Sequence, residues 1–224
     1  MDYKIKLIVL YAMMFFGGLW QILGLFTELS RIASGPILII VSIFSMYEIL
    51  TEIAKKSMSK TSTKNYLLYF TFVITTGFVI ELVGVRTGVI FGVYKYGTIL
   101  QPQFLGVPIA IGFAWFTSLI SSTAIIQRFS KINHQLIGSI SKSFITGFLM
   151  MLFDIFLEPA ATELSYWNWQ IGIAPAQNYI SWFVFGTIFS YIGFRFKLLN
   201  LNLPKVIYHL YFAQILFFAM VYLK

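Results

Sequence analysis

The sequence predicts an all-α, polytopic transmembrane helical bundle of about seven spans, with the N-terminus on the cytoplasmic side. Three observations lead there. Of 224 residues, 58% are hydrophobic and only 11% are charged, and mean hydropathy is +0.82. A water-soluble fold of this size could not hide that much apolar surface. The apolar residues fall in runs close to bilayer-spanning length, and the basic residues cluster between those runs.

Spans are expected at about 5–26, 36–53, 65–84, 106–126, 143–158, 179–195 and 205–223. The first follows Lys4 and Lys6. No small-residue cleavage site comes after it, so it reads as a helix and not as a removed signal peptide. Near the end of the second, Glu48 and Glu52 stand beside Lys55 and Lys56, an arrangement that suits interfacial pairing. Glu28 and Arg31 read the same way. The third span carries Glu81. After it comes "GVRTGVIFGVYKYGTILQPQFLG", in which Gly84, Gly88 and Gly92 recur every fourth residue. That small-residue spacing lets helices approach closely, so the segment either extends the third helix or forms a re-entrant hairpin before Pro102 and Pro108. The fourth span stops before the basic loop of Arg128, Lys131 and His134, where His134 is expected to be solvated. The fifth and sixth are short for untilted helices, and the polar loop 159–178 between them is expected to dip back toward the membrane. Pro159 favours an extended Glu158 and so places that residue at the helix end. Glu163 then falls in the loop. The seventh span holds no lysine beyond Lys205 at its start, which argues against a retinal Schiff base.

Orientation follows from charge. With the N-terminus inside, the inner segments hold Lys4, Lys6, Lys55, Lys56, Lys60, Lys64, Arg128, Lys131, Lys142, Arg195, Lys197 and Lys205. The outer segments hold Arg31, Arg86, Lys95 and Lys224. The net charge of +8 is therefore read as topology determinants meeting anionic membrane lipid, and no nucleic acid is expected as a partner. The chain reads as a single transmembrane domain, 1–224.

The chain has only eight acidic residues, yet Glu81, Asp154 and Glu158 sit in or at the ends of apolar spans. An ionised side chain at the bilayer centre costs roughly 2.5–3.5 kcal/mol on insertion scales. Asp154 and Glu158 are four apart and share a helix face. On the topology above, all three acids can lie at one depth on the outer side. One reading is a packed polar knot, with Glu81 paired to Arg86 and Asp154 bonded to Tyr or Trp donors. The other is an acid/base site in an apolar cavity, where burial keeps a carboxyl protonated as a proton donor.

Several chemistries lose their footing. There is no cysteine, so there is no disulfide framework, thiolate catalysis or cysteine metal site. With two histidines, His134 and His209, a histidine-rich di-iron site is not expected and a carboxylate metal site has weak support; no metal is expected. No GxGxxG follows a strand and no GxxxxGK[ST] is present, nor is there an aspartate-rich pair of motifs for a magnesium-bound diphosphate. The aromatic residues Tyr94, Tyr96, Trp115, Tyr166, Trp167, Trp169, Tyr179 and Trp182 gather near the two outer loops. They form either an interfacial belt or the wall of a site for a long apolar ligand, where ring faces can stabilise a carbocation by roughly 0.5–2 kcal/mol.

Two blocks, "ELVGVRTGVIFGVYKYGTILQPQFLGVPIAIGFAWF" and "DIFLEPAATELSYWNWQIGIAPAQNYISWFVFG", resemble the signature of the integral-membrane carotenoid biosynthesis proteins. That family includes the CruF-type carotenoid 1,2-hydratases and the bisanhydrobacterioruberin hydratases. The resemblance covers most of residues 75–190, a core with two polar and aromatic outer loops, 85–105 and 159–178. It departs from the family at Glu158-Pro159, where Asp-Pro is common. It implies an enzyme of the prokaryotic cell membrane that adds water to the terminal 1,2 double bond of an acyclic, lycopene-like carotenoid, with no cofactor. For that reaction, placement points to Asp154 as the acid and to Glu158 or Glu81 as the base. Arg86 would hold one carboxylate ionised. Tyr94, Tyr96, Trp115, Trp167, Trp169, Asn178 and Trp182 would contact the substrate. End-group cyclisation or isomerisation, a proton-coupled transporter and a non-catalytic carotenoid-binding protein remain open as alternatives. The sequence does not determine the oligomeric state.

Overall fold

The computed structural model describes residues 2–55, 60–130 and 138–223; Lys56, Lys131, His134 and Lys224 lie outside the described residues. Seven helices form: α1 (Tyr3–Leu23), α2 (Thr27–Lys55), α3 (Lys60–Thr87), α4 (Ile109–Ser130), α5 (Ser139–Glu163), α6 (Ala176–Arg195) and α7 (Lys205–Tyr222). All but α6 are long and apolar enough to cross a membrane. The chain is thus the all-α polytopic bundle that its composition demands. Large apolar side chains such as Ile8 and Ile32 point outward, 68% and 72% exposed, which suits a lipid surround.

The core is built around α4. Trp115, Phe116, Leu119 and Ile120 are fully buried, because α2, α3, α5 and α7 all pack against this helix. α5 and α6 run side by side at close range. A Cβ added at Gly147 would run into the Thr187 side chain and the Phe183 carbonyl, so this position needs a residue without a side chain. Glu28–Arg31 and Glu52–Lys55 pair within α2, at 3.5 and 3.9 Å. The partner of Glu48 is Lys6, reaching across from α1 at 2.5 Å, and not a neighbour on its own helix.

Three expectations change. First, α5 does not end at Glu158. It passes through Pro159 to Glu163, a helix of 25 residues. Proline forfeits one backbone bond, but a membrane helix tolerates that where side chains and neighbours re-satisfy the backbone. Pro159 leaves the Ile155 carbonyl without its helical donor. Beyond it the helix is held by the Thr162 hydroxyl donating to the Glu158 carbonyl at 3.1 Å and the Leu164 N–H donating to the Ala160 carbonyl at 2.9 Å. Glu163 accordingly closes the helix and does not lie in the loop. Second, α2 begins nine residues before Pro36, at Thr27. Third, the glycines of the 84–92 stretch are not a helix-packing stripe. α3 stops at Thr87, and Gly88 and Gly92 adopt φ of +67° and +100°, conformations that L side chains rarely take. They turn the chain out of the helix.

Beyond that turn lie four short strands: β1 (Tyr94–Tyr96), β2 (Gln103–Phe104), β3 (Val107–Pro108) and β4 (Trp167–Trp169). β2 and β3 form a small hairpin entering α4. β1 and β4 come from the α3–α4 and α5–α6 connections and pair antiparallel, with Tyr94 opposite Trp169 and Tyr96 opposite Trp167. The Gly97 N–H extends the ladder to the Tyr166 carbonyl at 2.8 Å, and the Gln170 N–H to the Val93 carbonyl at 3.0 Å. The loops expected on one side of the membrane are therefore joined to each other.

Candidate active site

The paired ribbon positions the site. Strand side chains alternate between faces with a period of two. Tyr94 and Tyr96 therefore turn to one face while Lys95 is exposed, and Trp167 and Trp169 turn inward while Asn168 is exposed. Four aromatic side chains thus share one face of a two-stranded ribbon. Tyr94 and Trp169 lie 4.9 Å apart by ring centroid, Tyr96 and Trp167 5.8 Å.

Each strand grips a different acid. The Tyr94 hydroxyl donates to Glu81 Oε2 at 2.5 Å and the Tyr96 hydroxyl to the same oxygen at 2.8 Å. Trp115 Nε1 on α4 donates to Glu81 Oε1 at 2.9 Å. From the other strand, Trp167 and Trp169 donate their indole N–H groups to Glu158 Oε2, at 3.0 and 2.7 Å. Asn178, on the first turn of α6, uses Nδ2 twice: toward Glu158 Oε1 at 3.0 Å and Asp154 Oδ2 at 2.5 Å. The donor count then separates the three acids. Glu81 and Glu158 each accept three bonds. Asp154 accepts one, and its Oδ1 is buried with no partner among the described residues.

Asp154 is fully buried, and Glu81 and Glu158 are each 5% exposed. Burial and then the neighbouring Glu81 charge push the Tyr94 and Tyr96 hydroxyls above their ordinary value of 10.0, so both phenols stay protonated donors. The acids, the ribbon aromatics, Trp115, Asn178 and Trp182 enclose a cavity of about 40 Å³. At roughly 10–15 Å³ per water, that is space for a few waters or for the tip of a larger molecule. Trp115 and Trp182, both in its lining, stack directly on each other, 4.1 Å apart and 11° from parallel. No Lys or Arg is among the residues lining it.

Residues 34–224 match the sequence pattern of carotenoid biosynthesis proteins. The chain belongs to the carotenoid biosynthesis protein family. It is also 30% identical, over 119 residues, to a bisanhydrobacterioruberin hydratase from Haloarcula japonica. That alignment covers 49% of this chain and 38% of the relative, so the chain spans well under two thirds of the relative's length. No solved structure matches the chain.

Within this family member, the structure brings together every candidate named from the sequence except Arg86. That residue is exposed on the last turn of α3 and makes no ion pair among the described residues. Tyrosine and tryptophan donors occupy the Glu81 oxygens that Arg86 would have held. Asn178 lines the cavity and also bridges two acids. Four further lining residues, Phe91, Ile111, Ala114 and Leu157, were not singled out from the sequence. Helical spacing carried a signal for two of them: Leu157 lies three residues after Asp154, and Ile111 four before Trp115.

Proposed function

We propose that this protein is a membrane-embedded carotenoid-modifying enzyme that hydrates the terminal 1,2 double bond of an acyclic carotenoid end group. The observation that carries the reading is Asp154 Oδ1, a buried carboxyl oxygen with no partner among the described residues, on a residue that lines the cavity beside two carboxyls that each accept three hydrogen bonds. A carboxylic proton on Oδ1 has no protein acceptor and is presented to whatever enters. The name of the archaeal relative, a hydratase, supports the same reaction class.

The chemistry balances without electron transfer. Asp154 gives its proton to C2, and the π electrons of the C1=C2 bond form the new C–H bond. A tertiary cation is left at C1. The Trp115–Trp182 stack in the cavity wall shields it, an open ring face contributing roughly 0.5–2 kcal/mol. A water lone pair then forms the C1–O bond, and Glu158 takes the proton that water releases. The proton returns from Glu158 to Asp154, two groups held together by the Asn178 amide. Glu81, held by Tyr94, Tyr96 and Trp115, fixes these aromatic groups around the cation. A cavity of about 40 Å³ admits only the end of a C40 chain, so the rest of the substrate stays in lipid. In this reading the N-terminus lies in the cytoplasm of a prokaryote, on the side where the basic residues cluster, and the acids lie toward the outer leaflet.

The test is expression in a lycopene-producing host, with extracted pigments analysed by chromatography and mass spectrometry. Wild type should add the mass of one or two waters, and Asp154→Asn and Glu81→Gln should abolish that gain at matched membrane levels. Isomers of unchanged mass would instead indicate cyclisation. Unaltered pigment across a panel of acyclic carotenoids would overturn the reading in favour of transport or binding.

A further inference from the structure

A second cavity, also about 40 Å³, lies at the opposite end of α4. Trp115 lines the acid cavity and Arg128 the second one; thirteen residues of helix separate them, about 20 Å at 1.5 Å per residue. The second cavity is formed by Gln127 and Arg128 of α4, Asn202 to Pro204 of the α6–α7 connection, and Lys205 and Tyr208 of α7. It is pre-formed. Gln127 donates to the Leu199 carbonyl at 2.6 Å and accepts from the Leu203 N–H at 2.9 Å. One amide thus pins the connection against α4, and Arg128, Lys205, Asn202 and Tyr208 line the space beside it, with the Lys205 ammonium also 5.9 Å from the Tyr3 ring centroid.

That space lacks an anion. Among the described residues, neither Arg128 nor Lys205 makes an ion pair. At this end of the bundle Glu48 is taken by Lys6 and Glu52 by Lys55, leaving Asp2 as the remaining acid. Segments 56–59 and 131–137 contain no Asp or Glu. Beside the cavity, Phe129 and Phe212 expose apolar rings, 62% and 43% exposed. Phe212 follows Tyr208 by one turn, with the rings 6.3 Å apart. Donors above an apolar strip match a phosphate carrying acyl chains better than a free ion.

We propose that this cavity binds the phosphate of an anionic phospholipid, with Arg128 and Lys205 as its counter-charges and the acyl chains along Phe129 and Phe212. Basic pockets between membrane helices recognise acidic headgroups in this way. The site is independent of the acid cavity and of the reaction assigned to it.

The experiment is native mass spectrometry of the full chain, purified in detergent and titrated with phosphatidylglycerol, with phosphatidylcholine of the same acyl chains, and separately with sodium phosphate. Phosphatidylglycerol should bind at least tenfold tighter than phosphatidylcholine. Arg128→Gln with Lys205→Gln should weaken it about 30-fold, from roughly fivefold per charge, while Lys95→Gln at the other end changes nothing. Arg128→Lys, which keeps the charge, should retain most of the binding and guards against a misfolded double variant. If sodium phosphate binds equally well and is lost in the double variant, the site takes free phosphate and the lipid assignment falls. Equal binding of the two lipids, or a double variant indistinguishable from wild type, would overturn the site altogether.

Discussion

Asn178→Ala is the most informative single change, because one amide nitrogen serves two acids. The substitution leaves Asp154 with no hydrogen-bond partner on either oxygen and Glu158 with its two indoles. If Asp154 carries the proton, its bond from Asn178 ends on a neutral carboxyl oxygen and is worth about 0.5–1.5 kcal/mol; the bond to the Glu158 carboxylate is worth about 1.5–3. Together they amount to about 2–4.5 kcal/mol, a fall in rate of roughly 30- to 2,000-fold if the whole of it is lost from the transition state. The assay is pigment conversion in isolated membranes at matched protein levels, with substrate varied. A fall in kcat at steady KM identifies an amide that positions the acids. A rise in KM alone identifies one that contacts substrate, as the sequence suggested. Activity within threefold of wild type would refute the bridge.

Three further outcomes follow from the geometry. Gly97→Val adds a Cβ that runs into the Ser165 carbonyl; it should part the ribbon at a cost of about 1–3 kcal/mol and abolish conversion while circular dichroism still reports a helical protein. The Tyr94 and Tyr96 hydroxyls, pushed above 10.0 by burial, stabilise the fold fully below that value and lose the contribution as pH rises beyond it, since the unfolded chain ionises first. Thermal stability should therefore decline above about pH 10, and Tyr94→Phe with Tyr96→Phe should flatten that decline. Ala114→Val intrudes on the cavity lining and should cut hydrated product about tenfold, with isomers of unchanged mass appearing as water is crowded out.

Much of this was legible in the sequence because a membrane makes polar residues conspicuous. Glu81, Asp154 and Glu158 stood out against apolar runs, and their depth followed from counting spans. What the sequence could not supply was the partner of each group. Arg86 is the nearest cation to Glu81 in sequence, yet aromatic donors from β1 and α4 hold that carboxyl instead. The Lys6–Glu48 pair joins two helices, and no local spacing announces it. Pro159 read as a helix end because proline's local preference is strong, but the backbone bonds after Pro159 outweighed it. The glycine repeat misled for the opposite reason: a four-residue spacing implies a helix face only where the helix continues, and Gly88 ends it.

The ribbon also explains why three carboxyls in one small cavity need not be equivalent. "YKY" and "WNW" each place two donors on one face, and pairing sends the phenols to Glu81 and the indoles to Glu158. A slip of one residue would turn Lys95 or Asn168 into the cavity, bringing in a cation or an amide and withdrawing two donors from an acid. Register is thus coupled to chemistry. The same pairing that joins the two connections divides the acids into two that each accept three hydrogen bonds and one left open. Asp154 differs from its neighbours through what the ribbon does not reach, and that is a property of the tertiary pairing and not of any local motif.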